Sequence, residues 1–340
     1  MNNTTDYIAT CRERVFGKND RFYVMGIAIL WIFVFHFYCW YKATRPWWIY
    51  FFSEGQIGVD IFLFLSAYGL EASFRKNSWQ RFYKNRFVRI IPVNILFLLT
   101  VFGIFFPNVP LQSIATQCAA QLSGLSLFQE PGFFSSHFTF DWFSPALILF
   151  YVFFPLFSIV ANKLSQKALY KEVLFLVALI LLSLLFLRFV HLPIRQLLYR
   201  LPILALGVAS YVHLASGNAN RLLVLYAVFL LGGLLSNQHW VQTSACAPAL
   251  LTLFALIQGH RPLYRFMCLL GRHSYEIYLA HIFPVTNWLM LHVYDNIYVY
   301  IAVTILWTIT VATIYSTFQH YIAKTYLTHC LQPLMNKNKN

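Results

Sequence analysis

His36 stands in the apolar run IAILWIFVFHFYCW, and the chemistry open to it depends on what else is buried nearby. The whole chain holds only eleven carboxylates. Three of them, Asp60, Glu71 and Glu276, fall inside apolar runs, and Asp141 stands at the mouth of another. A charge inside a membrane span costs at least about 2.5–3.5 kcal/mol, so each such group is a candidate for function. His36 lies about 20 Å along a helix that starts near Tyr23, and Asp60 lies about 6 Å into the next run, entered from the opposite side. On adjacent antiparallel helices the two reach similar depth. A histidine beside a carboxylate has its tautomer fixed and its basicity raised, which is the arrangement of a general base with an orienting partner. The same pair would equally serve only to staple two helices, and depth does not choose between the two. His281, in HSYEIYLAHIF, either lines the same cavity or hydrogen-bonds a neighbouring helix. Glu71 and Glu276 lie close to basic residues, where ion pairing is the expected role.

The stretch RKNSWQRFYKNRFVRIIP packs Arg75, Lys76, Arg81, Lys84, Arg86 and Arg89 among aromatic side chains. Such a stretch marks topology and anchors lipid headgroups. It also suits a phosphate-rich ligand, because guanidinium groups pair with phosphate oxygens and Trp79 or Tyr83 is able to stack on a purine. Its density of arginine exceeds what topology requires. No H-x-x-x-H or H-E-x-x-H spacing lies on a span, so no metal site is expected. The six cysteines form no C-x-x-C pair, which argues against a zinc site or a disulfide framework.

These groups need a scaffold, and composition sets its class. The chain of 340 residues is 59% hydrophobic and 11% charged, far below the quarter charged that soluble domains carry. Its apolar runs are continuous, which disfavours a β-barrel. We expect an all-α polytopic bundle of about ten transmembrane helices, near 23–41, 56–73, 90–106, 142–161, 172–191, 200–216, 221–236, 245–259, 273–291 and 298–322. The net charge of +14 would suggest nucleic acid in a soluble protein. Here the basic groups cluster between apolar runs and encode orientation, so no nucleic-acid partner is expected. With Arg12, Arg14, Lys18 and Arg21, the 75–89 group, Lys163, Lys167 and Lys171, Arg261, Arg265 and Arg272, and Lys324, Lys337 and Lys339 all inside, both termini are cytoplasmic. Residues 1–22 then form a cytoplasmic segment, 23–323 the membrane domain and 324–340 a cytoplasmic tail. Segment 111–128, with three glutamines and four Ser or Thr, must not cross, which leaves 107–141 as an external loop dipping partway into the protein. The membrane expected is the inner or plasma membrane.

Several segments in order resemble the integral-membrane acyltransferases of the acyltransferase-3 group, which O-acylate polysaccharides and other envelope sugars. They are GIAILWIFVFHF, GVDIFLFLSAYGL, RFYKNRFVRIIP, DWFSPALILFYVFFPLF, RLPILALGV and LLGRHSYEIYLAHIF, and the likeness runs from about residue 22 to 322. It implies transfer of an acyl group, expected to be acetyl, from cytoplasmic acyl-CoA to a sugar hydroxyl. His36 would be the base or briefly carry the acyl group, with Asp60 orienting it. Arg75, Arg81, Lys84, Arg86 and Arg89 would hold the CoA phosphates, and the acceptor would approach Asp141, Trp142, Arg200 and His281 from outside. Two positions depart from the family. Met25 stands where an Arg eleven residues before the histidine is common, with Arg21 one turn earlier able to serve if the helix extends inward. Ala67 stands where Gly is usual. A transporter or flippase, and a catalytically degenerate member, are the alternatives.

Overall fold

The computed structural model describes residues 16–40, 46–105, 108–129, 141–257, 260–291 and 296–337. Arg12, Arg14, Lys339 and positions 130–140 of the expected external loop lie outside them. Among the described residues twelve α-helices of 12 residues or more follow in chain order, and no strand occurs. They are α1 (Lys18–Trp40), α2 (Ile57–Lys76), α3 (Trp79–Phe105), α4 (Leu111–Ser123), α5 (Phe143–Ser165), α6 (Leu169–Phe189), α7 (Leu201–Ala215), α8 (Ala219–Leu235), α9 (His239–Leu256), α10 (Arg261–Arg272), α11 (Ser274–Leu291) and α12 (Ile297–Lys337).

The ten expected runs all fall on helices of this set. Six segments are long and apolar enough to cross a membrane: Asp20–Cys39, Trp47–Lys76, Trp79–Ile104, Phe143–Ser165, Leu169–Phe189 and Ile297–Thr325. Leu201–Ala215 and Ala219–Leu235 are apolar but shorter. Fifteen residues of helix rise about 22 Å, less than the roughly 30 Å of a hydrocarbon core. Segment 111–128 is a helix of 13 residues and a 3-10 turn, too short to cross. Gly124, at φ 82, ends that helix in the left-handed region that favours glycine.

The distribution of polarity is that of a membrane bundle. Large apolar side chains face outward, among them Phe153, Leu156, Leu174, Leu223, Leu306 and Ile309. Asp60, Glu71, Asn94, Ser144, Arg200 and His281 are buried inside. In lipid this sorting is favourable, because polar groups find partners only within the protein.

Two close approaches fix the part of the bundle that holds the site. At Gly26 an added Cβ would collide with the Met267 carbonyl, and at Gly271 with the Phe22 carbonyl. Backbone meets backbone there, and α10 lies flat on α1. The sequence places 261–272 between two apolar runs, with Arg261, Arg265 and Arg272 as orientation signals. This segment is a helix opened by Pro262 near its N-terminus. A second approach sets α7 against α2, where a Cβ on Gly207 would strike Ala67 and the Phe64 carbonyl. Position 67, where the resemblance implies Gly, faces this close approach, and Ala67 is small enough to fit it.

The basic stretch is also helical rather than a loop. Asn77 Nδ2 donates to the Ser73 carbonyl at 2.7 Å, closing α2. Ser78 Oγ accepts from the Arg81 amide at 3.4 Å, opening α3. Arg81, Lys84, Arg86 and Arg89 therefore occupy the first turns of α3.

Candidate active site

A cavity of about 340 Å³ lies among α1, α2, α3, α5 and α11. Arg21, Arg86 and Arg89 line it together with Gly69 and Ser66. Met25, Ile29 and Ile32 continue the wall along one face of α1, with Phe62, Phe143 and Tyr278 opposite. Arg21 to Ile32 spans about 16 Å of helix. One end is cationic and the remainder mostly apolar. Ile32 lies one turn before His36, and Tyr278 one turn before His281, so the apolar end leads toward both histidines.

Helix geometry sorts the predicted basic residues. Phe82, Arg86, Arg89 and Ile90 share one face of α3, and Phe82 and Ile90 are buried. Arg86 and Arg89 are thereby carried to the cavity. Arg81 and Lys84 project from other faces and are exposed. Arg75 lies in the last turn of α2 and is engaged elsewhere. Its Nε donates to Glu71 Oε1 at 2.7 Å, a further bond goes to Asn162, and its guanidinium lies 5.5 Å from the Tyr211 ring. Glu71 also accepts from Ser158 at 2.5 Å and Asn162 at 2.8 Å, and the cluster ties α2 to α5. The expected ion pair of Glu71 is present. Glu276 has none among the described residues, and its Oε2 lacks a hydrogen-bond partner there.

Met25 lines the cavity, at the position where the resemblance implies Arg. Because α1 begins at Lys18, Arg21 is helical and delivers its guanidinium to the same cavity, 5.9 Å from the Tyr68 ring. The Nε atoms of Arg21 and Arg86 are buried and have no hydrogen-bond partner among the described residues. Orphaned buried donors on a cavity wall fit an anionic ligand, and the apolar passage beyond them fits a slender chain such as the pantetheine arm of coenzyme A.

The two histidines meet. His36 Nδ1 lies 2.9 Å from His281 Nε2, and His281 Nδ1 lies 2.7 Å from the Ile277 carbonyl oxygen. His281 is fully buried and His36 half-buried. Phe33 and Tyr278 pack their rings against His281, with centroids 5.0 and 6.0 Å away.

Asp60 does not bond His36. It accepts from Arg200 Nε at 2.8 Å and from Ser244 Oγ at 3.1 Å. The reason is helical register. Gly58 is the α2 residue that faces α1, against the Ala28 carbonyl and Ile32. Two residues further on the helix has turned about 200°, so Asp60 points to α7 and α9. Arg200, only 2% exposed, also donates through Nη1 to the carbonyl and side-chain oxygens of Gln196 at 2.9 and 3.1 Å. Its guanidinium lies 5.0 Å from the Trp142 ring and 4.4 Å from that of Tyr199. Arg200 and Trp142, expected beside the acceptor, are joined to Asp60 in an interior brace.

Asp141 is likewise buried. Its Oδ1 accepts from the Ser144 amide at 3.0 Å and from Tyr278 at 3.1 Å, and its Oδ2 from Gln121 at 3.1 Å. Burial pushes the Asp141 carboxyl up from the ordinary carboxylate range, and these hydrogen bonds pull back against it. It caps α5 and tethers α4 to the cavity wall. Tyr275 donates to Ser144 at 3.0 Å and accepts from Asn94 at 3.3 Å. Tyr278 and Ser66 were absent from the sequence-based site. The spacing of Ser274, Tyr278 and His281 on one helical face was the available signal.

The acyltransferase domain of the acyltransferase-3 family matches residues 23–318. No curated protein and no solved structure matches the chain. The matched region holds both histidines and, apart from Arg21 and Phe22, the residues that line the cavity, and the chain belongs to the acyltransferase-3 family of membrane acyltransferases.

Proposed function

We propose that the chain moves an acyl group, acetyl in the simplest case, from cytoplasmic acyl-CoA to a hydroxyl of a cell-envelope or exported sugar. The observation that carries this reading is the cavity with three arginines at one end and, at the other, an apolar passage leading toward His36 and His281. Arg21, Arg86 and Arg89 bind the donor's phosphates. The acyl-pantetheine arm passes Met25, Ile29 and Ile32, which brings the thioester to the level of His36. The acceptor hydroxyl attacks the thioester carbonyl while His36 takes its proton. The carbon–sulfur bond breaks, an ester forms, and the proton passes to the departing thiolate, giving free CoA. A positioned base of this kind contributes roughly 10²–10⁴-fold.

In this reading ten helices cross an inner or plasma membrane with both termini in the cytoplasm. Three observations support it: the short apolar helices beside the six long ones, the arginine-lined mouth, and the basic clusters along the sequence. Met25 does not by itself argue for a degenerate member, because Arg21 supplies a guanidinium to the same cavity. The test follows acetyl-labelled CoA into the glycan fraction of membranes carrying this chain or its His36→Ala variant. Label is expected with the unmodified chain and not with the variant. Donor binding with no label in any envelope glycan would overturn the reading.

A further inference from the structure

We propose that His281 is a positioning residue that sets the tautomer of His36, through a relay running from the Ile277 carbonyl through His281 to His36. The inference rests on the reading of His36 as the base. It follows from counting donors and acceptors. A carbonyl oxygen only accepts, so the contact of 2.7 Å between Ile277 O and His281 Nδ1 requires a proton on His281 Nδ1. His281 has no exposed surface, packs against Phe33, and has no carboxylate among its hydrogen-bond partners in the described residues. A second proton on its ring would bury an uncompensated charge. Neutral His281 therefore presents a lone pair at Nε2. That lone pair lies 2.9 Å from His36 Nδ1, which must be the donor. Neutral His36 then carries its proton on Nδ1 and is left with its lone pair on Nε2, the atom that accepts the hydroxyl proton.

The same bond serves both halves of the reaction. When the acceptor hydroxyl gives its proton to His36 Nε2, the ring becomes an imidazolium, and its Nδ1–H bond to His281 becomes charge-assisted. When that proton passes to the departing thiolate, His36 returns to the starting tautomer. No net proton reaches His281. The role that sequence reasoning gave to a carboxylate is thus filled by a neutral histidine held by a main-chain carbonyl.

The experiment uses the full chain in lipid nanodiscs with ¹⁵N-labelled histidine. In the unmodified protein, nitrogen NMR should show both His36 and His281 protonated at Nδ1 and bare at Nε2, each assigned by its own substitution. His36 protonated at Nε2 would overturn the proposal, and this arm needs no variant to be active. In the acetyl-CoA assay, His281→Leu should lower kcat by about a hundredfold with the KM for donor unchanged, and His36 should lose its Nδ1–H signature. His281→Gln, which restores an acceptor at the reach of Nε2, should recover most of the kcat. Unchanged kcat in His281→Leu, beside complete loss in His36→Ala, would refute the relay and leave the base standing. Turnover that survives His36→Ala would instead remove the base and, with it, the relay's catalytic role.

Discussion

Replacing Asp60 with Asn separates two roles that the same residue would fill. In the structure Asp60 is 1% exposed and neutralises Arg200, itself 2% exposed. Asp60→Asn keeps the shape and removes the charge, so a buried guanidinium is left facing an amide. Removing one partner of a buried ion pair costs about 3–5 kcal/mol. Arg200 keeps its two bonds to Gln196 and the faces of Trp142 and Tyr199, which places the loss near the lower end, about 3 kcal/mol. The pair Asp60→Leu with Arg200→Met should be less damaging than Asp60→Asn, because no unpaired charge remains. The assay is denaturant unfolding of the protein in detergent micelles, followed by tryptophan fluorescence, with kcat measured on the fraction that stays folded. The account predicts a large loss of stability and little change in kcat. A large fall in kcat with stability unchanged would refute it and return Asp60 to the orienting role read from depth.

Arg21→Ala and Arg86→Ala should each raise the KM for acyl-CoA about tenfold, the size of one charge-assisted contact, with kcat within a few-fold, whereas Arg81→Ala should leave steady-state constants unchanged. Gly271→Ala should cost about 1–3 kcal/mol by forcing α10 away from the Phe22 carbonyl, seen as a lower midpoint in the same unfolding assay.

The helices were legible in the sequence because lipid demands apolar runs of a certain length, and the runs stand out against a composition with so few charges. The crossing count is less direct, since Leu201–Ala215 and Ala219–Leu235 are short, and length alone does not say how a helix of 15 residues meets a bilayer. The catalytic histidine candidate was legible from its depth in an apolar run. Its partner was not, because counting residues into an apolar run gives neither the offset between neighbouring helices nor their azimuth. Gly55 meets Trp31 and Phe35 while Gly58 meets Ala28 and Ile32, so Asp60 is level with about Ala28, roughly 12 Å along α1 from His36, and Gly58 claims the face of α2 toward α1 and turns Asp60 away. The basic stretch shows the same limit in reverse. Its charge is visible as one block, but only the helical face shared by Phe82, Arg86, Arg89 and Ile90 decides which cations reach the cavity. Helix α10 went unseen because its arginines resemble a topology signal, while Gly26 and Gly271, which seat it on α1, lie far apart in sequence.

The most direct test of the account is the release of CoA thiol by purified protein supplied with acetyl-CoA and envelope glycan. The account predicts one thiol released for each ester formed with the unmodified chain, and with His36→Ala the same donor affinity but no thiol and no ester. Equal thiol release and ester formation by both proteins would contradict it.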